Sequence, residues 1–151
     1  MPNYRENLDT LRETMLVLAS HTNAQKCYTV CLAMELAEDG ALDKALTLIR
    51  EFTHSFRLVT HTLHPCHLQG EARGKSSCLL FNQGNVAFAA AHLARIDPDH
   101  SAAILTVLDA DTCFAQDYFD AISWHFYSAT PHERKRLMFV PPSVFDRFSK
   151  V

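Results

Sequence analysis

Apolar residues recur along this chain at two periods, and the switching between them predicts the architecture. Leu8, Leu11, Met15 and Leu18 are spaced as one face of a helix. Asn7 or Asp9 is placed to cap it, and its end is expected near His21, Thr22 and Asn23. Tyr28 to Met34 is a short, nearly unbroken apolar run rich in β-formers, as expected of a strand buried on both faces. Leu42, Ala45, Leu46, Ile49 and Phe52 return to helical spacing, and Arg57 to Leu63 alternates as a strand does. Pro65, Gly70 and Gly74 mark a loop over 64–75, and the run 76–83 is ambiguous. Asn85 to Ile96 predicts an alanine-rich helix, stopped by Asp97, Pro98 and Asp99. Ala103 to Leu108 predicts a strand and Ala115 to Tyr127 a helix. Leu137 to Val140 predicts a last short strand, closed by Pro141 and Pro142.

Helices and strands alternate, so the expected fold class is α/β, a parallel sheet with right-handed crossovers. The first helix has no strand before it. Pro2 and Asn3 are turn residues, so the loop that a first strand should feed begins at residue 2.

The 151 residues suit one domain with one core. With 48% hydrophobic and 21% charged residues the chain is globular in composition, and a net charge of −3 gives no reason to expect a nucleic-acid partner. Five cysteines without a CxxC pair suggest reduced thiols facing the cytosol, with Cys31 acting as a small hydrophobe. No uncharged apolar run approaches the roughly 20 residues of a membrane span.

The candidate chemistry is acidic and falls at strand ends. Ile104 to Leu108 delivers Asp109 and Asp111 with only Ala110 between them, and Tyr28 to Met34 delivers Glu35. Close carboxylates repel and lose solvation, so a cation usually sits with them, whereas the tripeptide alone equally suits a strand end capped by one Asp with the other solvated. The carboxyl ends of parallel strands are also where open α/β sheets hold ligands. On a straight strand Asp109 and Asp111 share a face and suit a divalent metal that carries a nucleotide diphosphate.

PNYRE, YTVCLAME, GEARGKSS, NVAFAA and LTVLDADTCF, in that order, resemble the nucleotide-binding half of a family-2 glycosyltransferase with a GT-A fold. The resemblance covers nearly the whole chain and lies in the ordered set, since no single motif is specific. It implies an incomplete, Rossmann-like parallel sheet flanked by helices, with its first strand missing, as one partial domain over 1–151. It implies binding of a nucleotide-diphosphate sugar, with Tyr4 and Glu6 beside the base or ribose and Glu35 near the nucleoside. Lys75 would face the phosphates or base, Asp109 the ribose or metal, and Asp111 would ligate Mg²⁺ or Mn²⁺. Residues 78–84 look like an insertion between the Gly-Lys segment and the helix. The acceptor half, with its general base, has no counterpart, so no catalytic residue is identifiable and no sugar transfer is expected of this chain alone. The expected place is the cytoplasm, or the cytoplasmic face of a membrane in a longer, membrane-anchored relative. The alternative is an α/β domain that binds or regulates without catalysing, or the product of a truncated gene model.

The remaining constellations point to ordinary roles. Gly70 to Ser76 falls one residue short of a phosphate loop and follows no strand directly. His61, His64, Cys66 and His67 lack a second ligand pair at zinc-finger spacing, so surface histidines in a loop are expected. Phe114, Tyr118, Phe119, Trp124, Phe126 and Tyr127 read as core and helix packing, and His132 to Arg136 as a solvated loop.

Overall fold

Leu32, Ala33 and Met34 are almost completely buried, because their strand has neighbours on both sides and helices over it. In the computed structural model, which describes residues 1–65, 84–96 and 103–140, this strand is the centre of a three-stranded parallel sheet. The order is β1 (Pro2–Asn3), β2 (Thr29–Glu35), β3 (Leu58–His64). Thr29 lies opposite Leu58, and the register runs unbroken to Glu35 opposite His64. The expected strands at 28–34 and 57–63 are thus present, each displaced by one residue, and they are parallel. The chain is α/β.

The first strand is present as a stub. Pro2 and Asn3 pair with Ala33 and Met34, and Met1 extends the contact through its carbonyl, which accepts the Ala33 N–H at 3.0 Å. Proline lacks an N–H to donate, and an edge position tolerates this.

The described residues form six helices, two of them of four residues, divided between two compact units, Met1–Phe114 and Ala115–Val151. In the first unit, α1 (Leu8–Ala19) is capped by Asn7, whose side chain accepts the Asp9 N–H at 3.0 Å. The short α2 (Ala24–Cys27), which the apolar spacing does not predict, leads into β2. α3 (Ala41–Phe52) packs on β2, β3 and α1. It follows Gly40 in the left-handed region at φ 76°, where a side chain would be strained. α4 (Asn85–Ile96) also packs on β2 and β3.

Strand alternation gives the sheet two unlike faces. Cys31 and Ala33 pack with Ala89 and Leu93 of α4. On the same side Thr60 lies 3.0 Å from His92 Nε2, and buried Asn85 donates from Nδ2 to the Ala33 carbonyl at 2.7 Å. This face is built of small and polar groups. Val30, Leu32 and Met34 alternate to the other face. Burial pushes the Cys31 thiol up from its ordinary range, which suits an inert packing role.

Two expected strands are not formed. Residues 103–109 have no ladder partner among the described residues and alternate between half-buried and exposed, with Leu105 and Val107 more than half exposed. In a doubly wound order the next strand lies beside β1. There β1 offers only two residues, one of them a proline, so the row of donors and acceptors that a parallel neighbour needs is missing. Residues 137–140 are likewise without a ladder.

In the second unit, α5 (Tyr118–Ser128) buries Ile122 and Phe126, four residues apart on one face. α6 (Pro131–Arg134) replaces the expected loop. Its start is a capping box, Thr130 and Glu133 satisfying each other's backbone N–H groups. Arg134 then turns back to donate to the carbonyls of Phe126 at 3.0 Å and Tyr127 at 2.8 Å.

One ion pair joins α1 to α3. Arg12 donates from Nε and Nη2 to the two Glu51 oxygens at 2.8 and 2.9 Å. Hydrogen bonding to Arg12 holds the Glu51 carboxyl below its ordinary value. The folded value is the lower one, so the contribution is present above the ordinary carboxylate range and fades as pH falls through the folded value. The pair is exposed, so salt weakens it. Glu51→Gln should flatten the acid limb of a stability-versus-pH curve at low salt, followed by circular dichroism in urea. An unchanged acid limb would show that the pair contributes nothing.

Candidate functional site

Because β1, β2 and β3 run in one direction, their carboxyl ends share one edge of the sheet. That edge collects the loop Tyr4–Glu6 after β1, Glu35 and the turn to Gly40 after β2, and His64 at the end of β3. Three of the expected site residues, Tyr4, Glu6 and Glu35, are therefore brought to the same edge by backbone pairing.

Glu35 and His64 face each other across the last rung of the ladder. Glu35 Oε2 lies 3.1 Å from His64 Nδ1. A carboxylate only accepts, so Nδ1 carries the proton. His64 is buried at 3% exposure, with its ring edge-on to Phe88 at a centroid distance of 5.8 Å. The expectation of surface histidines in a loop is corrected here: His61 and His64 belong to β3. Thr60, Thr62 and His64 occupy alternate positions of one strand face, and Arg57 to Leu63 already carried that alternation up to its last member.

The loop after β1 is fastened from two sides. Buried Asn3 accepts the Glu6 N–H at 3.3 Å through Oδ1 and donates to Met34 Sδ at 3.3 Å. From the α3 side, Glu38 Oε2 accepts the Arg5 N–H at 2.7 Å, and Lys44 Nζ donates to the Glu6 carbonyl at 2.7 Å and to Glu38. Arg5 sits at φ 60°, the only non-glycine with positive φ among the described residues. Tyr4 is 43% exposed, and the Arg5 guanidinium lies over its ring at 5.1 Å. Glu38 stands in the sequence only as one of the acids that follow the second strand; its pairing with Lys44 is not legible there, because a Glu and a Lys six residues apart across a glycine turn carry no spacing signal.

Asp109 and Asp111 lie in the same compact unit but outside the sheet. The Thr112 N–H donates to the Asp109 carbonyl at 3.1 Å, so the backbone turns at Ala110 and Asp111. The shared face expected of a straight strand is therefore lost, because i and i+2 align only where the backbone is extended. What is fixed is the residue between them. Ala110 is buried, and its carbonyl accepts from Thr14 Oγ1 of α1. The two carboxylates on either side are exposed. Among the described residues no three His, Cys, Asp or Glu side chains gather as a metal-holding group. Lys75, and all of 78–84 but Gly84, lie outside the described residues.

Among the described residues no helix is long and apolar enough to cross a membrane. Neither family models, curated proteins nor solved structures give a match to the chain.

The Glu35–His64 contact has a measurable consequence. Glu35→Ala removes the carboxylate acceptor from a buried imidazole N–H and should cost on the order of 1–3 kcal/mol. Glu35→Gln keeps an acceptor oxygen and should cost less. Urea unfolding measures both, and a Glu35→Ala variant as stable as wild type would show that the contact is not maintained in solution.

Proposed function

We propose that this chain is the donor-binding half of a family-2-like glycosyltransferase of GT-A type, holding a nucleotide-diphosphate sugar at the carboxyl edge of its sheet. The observation that carries this reading is the common edge shared by Tyr4, Glu6 and Glu35. An exposed aromatic ring suits one face of a base, and carboxylates suit ribose hydroxyls or base N–H groups. The place of action in this reading is the cytoplasm or the cytoplasmic face of a membrane.

Asp109 and Asp111 are the residues that would hold Mg²⁺ or Mn²⁺. Two exposed carboxylates on a backbone pinned at Ala110 fit a hard cation that takes most of its oxygens from a nucleotide and water. When bound, such an ion offsets the charge of the diphosphate leaving group. The chain's own residues orient the nucleoside and supply the two acids. The engagement of Glu35 by His64 favours a second reading, an α/β domain that binds the nucleotide without serving catalysis.

Calorimetry with UDP or GDP tests both readings. Binding should depend on Mn²⁺ and be weak, on the order of millimolar or roughly −4 kcal/mol, because β1 supplies only two residues to wall the pocket. Asp111→Asn keeps the shape, removes a charge and should abolish the Mn²⁺ dependence. Equal Mn²⁺-dependent binding by wild type and Asp111→Asn would remove the metal role. Tight metal-independent binding would favour the second reading.

A further inference from the structure

We infer that Glu38 and Lys44 are positioning residues that hold the Tyr4–Glu6 loop in its nucleotide-receiving conformation. This deepens the proposed function and depends on the sheet edge being a nucleotide site.

The geometry is that of a clamp. Glu38 spends one carboxylate oxygen on the Arg5 N–H at 2.7 Å and the other on Lys44, whose Nζ also donates to the Glu6 carbonyl at 2.7 Å. Two successive loop residues are thus gripped by backbone atoms, whatever their side chains. The grip is only partly open to water: the Glu38 side chain is 8% exposed and that of Lys44 15%. A charge-assisted bond in such a place is stronger than its counterpart in open solvent.

The clamp opposes a real cost. Arg5 is held in the left-handed region, which an L-residue other than glycine, asparagine or aspartate seldom adopts. Strained backbone persists where the surroundings over-determine it, and such places cluster at ligand sites. Here the surroundings are named: Glu38, Lys44 and, from the sheet side, Asn3. The left-handed step reverses the chain immediately after Tyr4 and keeps that ring at the sheet edge, with the Arg5 guanidinium over it. Without the clamp, Arg5 relaxes to negative φ, and the ring leaves the position in which it can receive a base. Glu38 and Lys44 touch no nucleotide in this account; they act through the loop.

The test is UDP affinity with Mn²⁺ for the full chain, measured by calorimetry. The variants are Glu38→Gln, Lys44→Met, Arg5→Gly and the double variant Glu38→Gln with Arg5→Gly. Circular dichroism confirms the sheet in each. Glu38→Gln and Lys44→Met should each weaken binding by about tenfold, the loss expected of one charged hydrogen bond. Glycine adopts the left-handed conformation without strain, so adding Arg5→Gly to Glu38→Gln should recover part of that loss. A merely structural ion pair would show no such recovery. Lys44→Met keeps the unbranched stem and gives an independent answer if Glu38→Gln folds poorly. Equal UDP affinity in wild type, Glu38→Gln and Lys44→Met would overturn the positioning role and leave the nucleotide site standing. A tenfold loss with no recovery by Arg5→Gly would overturn it as well, assigning the effect to charge instead of loop geometry. Absence of UDP binding by wild type would overturn the nucleotide site and the positioning role together.

Discussion

The parallel register of β2 against its two neighbours is the constraint on which the rest of the molecule depends. Seven consecutive rungs join β2 to β3, and the last sets Glu35 opposite His64. On the other side Asn3 stands opposite Met34, so the chain leaves β1 one step below Glu35. A shift of one residue would send every side chain of β2 to the opposite face. Leu32 and Met34 would then meet the polar side formed by Thr60, Thr62, His92 and Asn85. The two unlike faces of the sheet therefore enforce the register, and the register assembles the edge.

Beside that rigid frame several loops of the first unit carry their side chains on short, strained or exposed segments. Arg5 is held at positive φ by Glu38 of the turn before α3, which Lys44 of α3 holds in turn, and Gly40 turns the chain into α3 in the same backbone region. Asp109 and Asp111 flank a buried alanine that is pinned through its carbonyl. In each case a buried or bonded backbone atom fixes the loop while the side chains beside it remain open to solvent. This division between fixed backbone and exposed side chain is compatible with ligand binding, and it is the arrangement on which the proposed function rests.

Much of the frame was legible in the sequence. The unbroken apolar run at 28–34 is the print of burial on two faces and the alternation at 57–63 that of two unlike faces, and both strands formed. Helical spacing at Leu8 to Leu18 likewise reflects one buried stripe, whereas in α3 the buried stripe is Ala41, Ala45, Leu48 and Phe52 and the expected Leu42 is exposed. What was not legible depended on partners. Ala103 to Leu108 has strand chemistry, yet a strand needs a neighbour, and β1 presents two residues to it. Leu137 to Val140 also forms no ladder among the described residues. Of the edge, Tyr4, Glu6 and Glu35 were recognisable from order and position. Glu38, Lys44 and His64 were not, because their partners are fixed by a turn and a ladder, not by spacing along the chain.

The central claim is that the edge collected by this register is where a nucleotide binds. Backbone amide chemical shifts during a UDP titration with Mg²⁺, a diamagnetic ion, test it residue by residue. The account predicts shifts concentrated at Tyr4, Arg5, Glu6, Glu35 and His64, with Asp109 and Asp111 moving only when the metal is present. Shifts confined to α5 and α6, or no shifts at millimolar UDP, would contradict it.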